Sequence, residues 1–129
     1  MKPEERLHIA VRQFLDLALM WPTFWTSIDA GAGKLSKRAA GMAKARGVKA
    51  GLPDVWVFHP ERALVRAVAI ELKAGKGRLS PAQIEVIGLL KTAGIRCGVA
   101  RSIEDVESIL RANSVPIRAT AVLRLRAAA

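Results

Sequence analysis

The chain has 129 residues, 51% of them apolar, and carries 21 Lys and Arg against 11 Asp and Glu, a net charge of +10. That length and apolar content suit one globular domain with a modest core and exclude a disordered chain. The single cysteine, Cys97, excludes an internal disulfide and a cysteine-rich zinc site.

No apolar run approaches the length of a membrane span, and Glu4 and Glu5 stand where a signal peptide would be apolar, so the expectation is a soluble, cytoplasmic protein. The positive charge is clustered. Residues 1–30 hold three basic and four acidic groups, whereas residues 31–53 hold six basic groups and no acidic one. Lys73, Lys76 and Arg78 add three more, and residues 81–113 balance four against four. Such clustering points to a polyanionic partner bound more weakly as salt rises.

In chain order, Pro3 is suited to the first turn of a helix. Leu7, Val11, Phe14, Leu15 and Ala18 then recur on one helical face, which predicts a helix to about Met20, stopped by Pro22. Glu4 and Glu5 lie in its first turn, where the helix dipole favours acids. His8 lies on the same helix, with no chemistry assigned to it. Phe24 to Ile28 reads as a short strand. Asp29 to Gly33 is a turn-rich loop without the spacing of a phosphate-cradling loop, so no nucleotide cofactor is expected. Ser36 caps a predicted helix from Lys37 to Arg46, closed by Gly47. Lys34, Lys37, Arg38, Lys44, Arg46 and Lys49 are candidate phosphate contacts, against the plainer reading of a solvated basic face.

Asp54 then opens a strand, Val55 to Phe58, apolar on both faces, which assigns Trp56 to the core and not to base stacking. His59 is expected on the surface at the turn. A second strand, Val65 to Ile70, is apolar enough to be buried on both sides and ends in Glu71-Leu72-Lys73. Residues two apart in a strand share a face, so Glu71 and Lys73 point together. With a turn over Glu61 to Leu64, antiparallel pairing sets Asp54 opposite Glu71. Two close carboxylates repel each other, and a hard cation such as Mg²⁺ with oxygen ligands relieves that repulsion. The alternative is purely structural: Asp54 caps a turn and Glu71 pairs with Lys73.

Ala74 to Arg78 is a basic loop carrying Lys76 and Arg78. Ser80-Pro81 starts a helix with Gln83 in its first turn and Gly94 at its end. Ile95 to Ala100 reads as a strand in which Cys97 is a small core residue. Ser102 caps a helix to Ala112, with Asp105 as a short-armed capping-box partner. This order favours an α/β fold with a mixed sheet. The domain is placed at residues 1–112, followed by a basic tail, 113–129, containing Arg118, Arg124 and Arg126. An edge strand, a helix, a dimer contact and a disordered arm are all open for that tail.

The series Gly51-Leu52-Pro53-Asp54, Ile70-Glu71-Leu72-Lys73 and Ser80-Pro81-Ala82-Gln83, followed by Leu89-Leu90 and Gly94, resembles the VRR-NUC (virus-type replication-repair nuclease) branch of the PD-(D/E)XK nucleases. The resemblance covers roughly residues 4 to 110. It implies a restriction-endonuclease-like core, a mixed sheet flanked by helices, and Mg²⁺- or Mn²⁺-dependent hydrolysis of DNA, selective for branched, flapped or four-way structures. It implies Asp54, Glu71 and the Leu72 carbonyl as metal ligands. Lys73 orients the attacking water or stabilises the transition state, and Gln83 bonds phosphate, water or that lysine. Glu5 is the acid from the first helix, with Glu4 the close alternative. A homodimer is implied as well. Two other readings stay open: a catalytically inactive nucleic-acid-binding module with the same fold, and a subunit acting through a partner protein.

Overall fold

The computed structural model describes residues 1–28 and 36–119. The Asp29 to Gly33 loop, Lys34, Arg124 and Arg126 lie outside the described residues.

Helix α1 (Pro3–Ala18) buries Val11, Phe14, Leu15 and Ala18, the face its spacing predicts. It ends two residues before the expected Met20 because Leu19 turns extended and bridges Ile117. Strand β1 (Phe24–Ser27) follows, then helix α2 (Lys37–Ala45), capped by the Ser36 hydroxyl accepting from the Ala39 N–H at 3.1 Å. Strands β2 (Val55–Glu61) and β3 (Leu64–Leu72) form the central hairpin. Helix α3 (Pro81–Thr92), strand β4 (Arg96–Ala100) and helix α4 (Ile103–Ala112) complete the order.

The sheet runs β1-β2-β3-β4, antiparallel except for the β3–β4 pair, which is parallel and joined through α3. A mixed sheet is the result, as expected. Val55, Val57, Val68, Ile70 and Leu72 line one face and pack against α1 and against Val106 and Leu110 of α4. Fully burying side chains of this size stabilises by about 1.5–3 kcal/mol each, so this face is where the core sits. On the same face Gly98 of β4 leaves room for Ile109, whose side chain would lie 2.7 Å from an added Cβ.

Four expectations about the hairpin change. β2 reaches Glu61, three residues further than predicted, and its faces alternate. Trp56 is therefore not in the core: it lies half-buried on the opposite face, ring beside Phe58, its indole N–H donating to the Pro53 carbonyl. The same alternation turns His59 inward, 1% exposed, with neither ring nitrogen hydrogen-bonded. The first residues of β3, Leu64 to Arg66, are exposed, so this strand is buried on both sides only in its second half. The hairpin tip closes over Arg62 and Ala63, both at positive φ, and Glu61 lies 3.4 Å from Arg66 and 3.5 Å from Arg96.

Ser102 caps α4 as expected, but Asp105 accepts from the Arg101 N–H and not from Ser102, one residue short of the full box. Beyond α4, Val115 is buried and the Arg118 N–H donates to the Ala18 carbonyl, so the start of the segment read as a tail packs on the body. None of the described helices is long and apolar enough to cross a membrane.

Candidate active site

The hairpin register pairs Val55 with Ile70, and one step beyond the ladder Asp54 falls opposite Glu71. Two backbone links hold Asp54 there. Its carbonyl accepts from the Ile28 N–H at 2.8 Å, and its Oδ2 accepts from the Leu72 N–H at 2.8 Å. The aspartate thus reaches across to the strand that carries Glu71.

Glu71 is 2% exposed. Its Oε1 accepts from the Gln83 amide at 2.8 Å, and its Oε2 is buried without a hydrogen bond. Burial pushes its pKa up from 4.5 to about 8, helped by the charge of Asp54 and opposed by that of Lys73. Among the described residues no cation lies within ion-pair distance of this buried carboxylate, whose orphaned oxygen sits beside a second carboxylate, an arrangement that favours a bound positive charge.

Gln83 is held from both ends. Its Oε1 accepts from the Ser80 N–H at 2.8 Å, the Ser80 Oγ accepts from the Gln83 N–H at 3.1 Å, and its amide nitrogen is left to face Glu71. The capping box of α3 and the site thus share one side chain. The expected partners were phosphate, water or Lys73; the observed partner is the Glu71 carboxylate.

Of the two acids in α1, Glu5 is engaged in the helix cap, its Oε2 accepting from the Lys2 N–H at 3.2 Å. Glu4 is the one whose charge is felt by Glu71. His8, one turn on, brings Nε2 to 3.9 Å from Asp54 Oδ2. Lys73 is half-buried just after β3, its N–H extending the parallel ladder to the Ala100 carbonyl at 3.0 Å. The loop behind it is tied down by Arg101, whose Nη1 donates to the Gly75 carbonyl at 2.8 Å. Lys76 and Arg78 on that loop are exposed, as are Lys37, Arg38, Lys44, Arg46 and Lys49. None of these seven pairs with a carboxylate among the described residues.

One contributor was missed in the sequence. Gly51 sits at φ +87°, and a Cβ there would lie 2.5 Å from the Ala82 carbonyl oxygen and 2.8 Å from the Gln83 nitrogen. The loop before Asp54 is seated against the first turn of α3. The available signal was a glycine three residues before a strand-opening acid, where close backbone approach calls for it. Gly51→Ala should push the first turn of α3 away, destabilising the fold by about 2 kcal/mol or more and loosening the Gln83–Glu71 contact. A urea melt alongside a cleavage assay checks both.

A divalent cation fits these residues: the orphaned Glu71 Oε2 and the adjacent Asp54 carboxylate are hard oxygen donors. Among the described residues no three His, Cys, Asp or Glu side chains form a ready cage; backbone carbonyl, water or phosphate oxygens are suited to complete the shell of a hard cation.

Two opposed carboxylates and a lysine at the end of a mixed sheet, with helices on both sides, define an α/β restriction-endonuclease-like core. The family model for the VRR-NUC domain matches residues 17–104. The chain belongs to the VRR-NUC family, a nuclease-type family. Among solved structures it is similar to one titled "VRR_NUC domain protein", at 24% identity and TM-score 0.55, over 86% of this chain and 87% of that one. Another, titled "VRR_NUC domain", aligns at 18% identity and TM-score 0.52, over 86% of this chain and 97% of that one. No curated protein matches the sequence. The matched segment begins within α1, so the placement of Glu4 and His8 rests on this structure alone.

Proposed function

We propose that the protein is a Mg²⁺- or Mn²⁺-dependent endonuclease that hydrolyses DNA phosphodiester bonds, selective for branched, flapped or four-way structures and acting as a homodimer. The observation that carries this reading is the buried, unpartnered Glu71 Oε2 beside Asp54, with Lys73 on the same side. Asp54 and Glu71 would hold the cation, with the Leu72 carbonyl as a further ligand. Bound there, the ion supplies charge neutralisation at the phosphate and a more acidic water.

The chain's own groups do the rest. Gln83 fixes the rotamer of Glu71 through one hydrogen bond and its own position through the helix cap. The Leu72 N–H orients Asp54. Lys73 places an ammonium beside the carboxylates, where it aligns the attacking water or stabilises the charge that builds on the phosphoryl oxygens. Glu4 is the acid of α1 assigned to the site, because Glu5 is taken up in the helix cap. The exposed Lys37, Arg38, Lys44, Arg46, Lys49, Lys76 and Arg78 supply phosphate contacts that orient the strand without reading bases.

Purified protein with Mg²⁺ or Mn²⁺ should nick DNA and should cut flapped or four-way substrates faster than linear duplex of the same sequence. Chelation should stop the reaction. Salt-sensitive binding with no cleavage on any of the three substrates would leave a passive polyanion binder in its place.

A further inference from the structure

The two faces of the sheet are unequally covered. α1 and α4 close the face of Val57, Val68 and Ile70. On the other face the register sets Phe24 beside Phe58 and Thr26 beside Trp56. The rings form a row, Phe24 to Phe58 at 6.3 Å and Trp56 to Phe58 at 6.4 Å between centroids, with 26° and 21° between their planes. Phe24 is 61% exposed, and Trp56 and Phe58 are half-buried. Side chains alternate along a strand, so Asp54, Trp56 and Phe58 share one side of β2, and Asp54 stands opposite Glu71. The row therefore runs out from the candidate site on the site's own face. Trp56 is fixed at the near end, its indole N–H donating to the Pro53 carbonyl at 3.1 Å, one residue before Asp54.

We infer that Trp56, with Phe58 and Phe24 behind it, stacks on unpaired bases of the strand whose phosphate lies at Asp54, which makes a single-stranded flap, and not a fully paired junction, the preferred substrate. The inference rests on the nuclease reading for what is bound at Asp54. Charge and shape select the occupant. Phe24, Thr26, Trp56 and Phe58 carry no charge, so the row offers phosphates nothing and offers flat, uncharged rings a surface. The cations suited to the backbone lie off the row, at Lys73 and on the loop of Lys76 and Arg78.

Pairing decides which DNA can use such a surface. Inside a duplex a base shows only its edges in the grooves, whereas an unpaired base can lay its face on an aromatic ring. Trp56 is two residues from Asp54, or roughly 7 Å along the strand, and stacked nucleotides follow one another at ~3.4 Å. The base it meets thus lies within about two nucleotides of the phosphate at the acids. A ring already fixed by the Pro53 contact loses little freedom when a base lands on it. Because every base has a π-face, the selection is for an unpaired strand and not for a sequence.

Binding measured in chelator, where nothing is cut, tests this. The probes are a blunt duplex, the same duplex with a thymidine flap, and the same duplex with a flap of abasic sugars, which keeps the phosphates and removes the bases. The parent should bind the thymidine flap more tightly than the blunt duplex, and about tenfold more tightly than the abasic flap. Trp56→Leu should bind the two flaps equally, and Trp56→Phe should restore most of the difference. Phe24→Ser, at an exposed position, should shrink the difference by about threefold and keeps the test open if Trp56→Leu fails to fold. Far-UV spectra and melting temperatures establish that each variant is folded. A parent that binds thymidine and abasic flaps alike, or that prefers the blunt duplex, overturns the inference. Folded Trp56→Leu or Phe24→Ser protein that discriminates between the flaps as the parent does overturns it as well. No cleavage is read, so failure of the nuclease reading, seen as no nicking with Mg²⁺, and failure of the stacking surface are told apart.

Discussion

Glu71→Ala and Lys73→Ala should each lower DNA cleavage by about 1,000-fold or more while leaving DNA affinity within a few-fold of the parent. The size follows from what each removes. Losing one preorganised electrostatic group from a buried site costs about 100–1,000-fold in turnover, and Glu71 is also one of the two side chains offered to the cation. Affinity is expected to survive because the exposed cations of α2, of the segment after it and of the Ala74–Arg78 loop are untouched. Asp54→Asn should behave like Glu71→Ala, since the amide keeps the shape but not the charge. Single-turnover cleavage and filter binding at matched salt separate the two effects. If both Glu71→Ala and Lys73→Ala cut like the parent, the assigned site is wrong.

The second large effect is a coupling of pH, metal and stability at Glu71. Its folded pKa, about 8, lies above the ordinary 4.5, with burial the first cause and Asp54 the second. The metal-free folded protein therefore holds a proton that the unfolded chain has lost between those two values. The contribution of this group to stability is fully present below pH ~4.5 and declines as pH rises through about 8, by at most about 1.4 kcal/mol per unit. Melts of the parent against Glu71→Gln, in chelator, should show the parent losing its relative advantage across that window. Mg²⁺ should reverse the loss, and more so at pH 8 than at pH 6, because the cation takes the place of the proton. Calorimetry in two buffers of different ionisation enthalpy should register about one proton released per ion near neutral pH. A parent-minus-variant difference that stays flat from pH 5 to 8 would rule out this account of Glu71.

The sequence carried the framework of this site because its signals are local. Apolar spacing placed α1, the Ser36, Ser80 and Ser102 caps placed three helix starts, and a turn over Glu61 to Leu64 set the hairpin register that the structure shows. From that register alone Asp54 falls opposite Glu71. What it left out depends on packing across the chain. Adjacent residues on a helix differ by about 100° in direction, so spacing alone leaves Glu4 and Glu5 equal, and it is the tertiary structure that takes Glu5 into the helix cap and brings the charge of Glu4 to bear, weakly, on Glu71. Strand length was underestimated, and since side chains alternate, three extra residues in β2 were enough to carry His59 from the surface into the core. Trp56 was misplaced because an apolar strand does not declare which of its faces the helices will cover. The need for Gly51 came from Ala82, thirty-one residues further on.

By itself the sequence determined which chemical groups are present and which neighbours along the chain share a face: two acids, a lysine, a glutamine in a helix's first turn and a block of cations free of acids in its own stretch. Only the tertiary structure decided how deeply Glu71 is buried, that Gln83 is its hydrogen-bond partner and which side of the sheet α1 and α4 cover. Those properties are set by desolvation and by distance between elements far apart in the chain, and neither is encoded in local spacing.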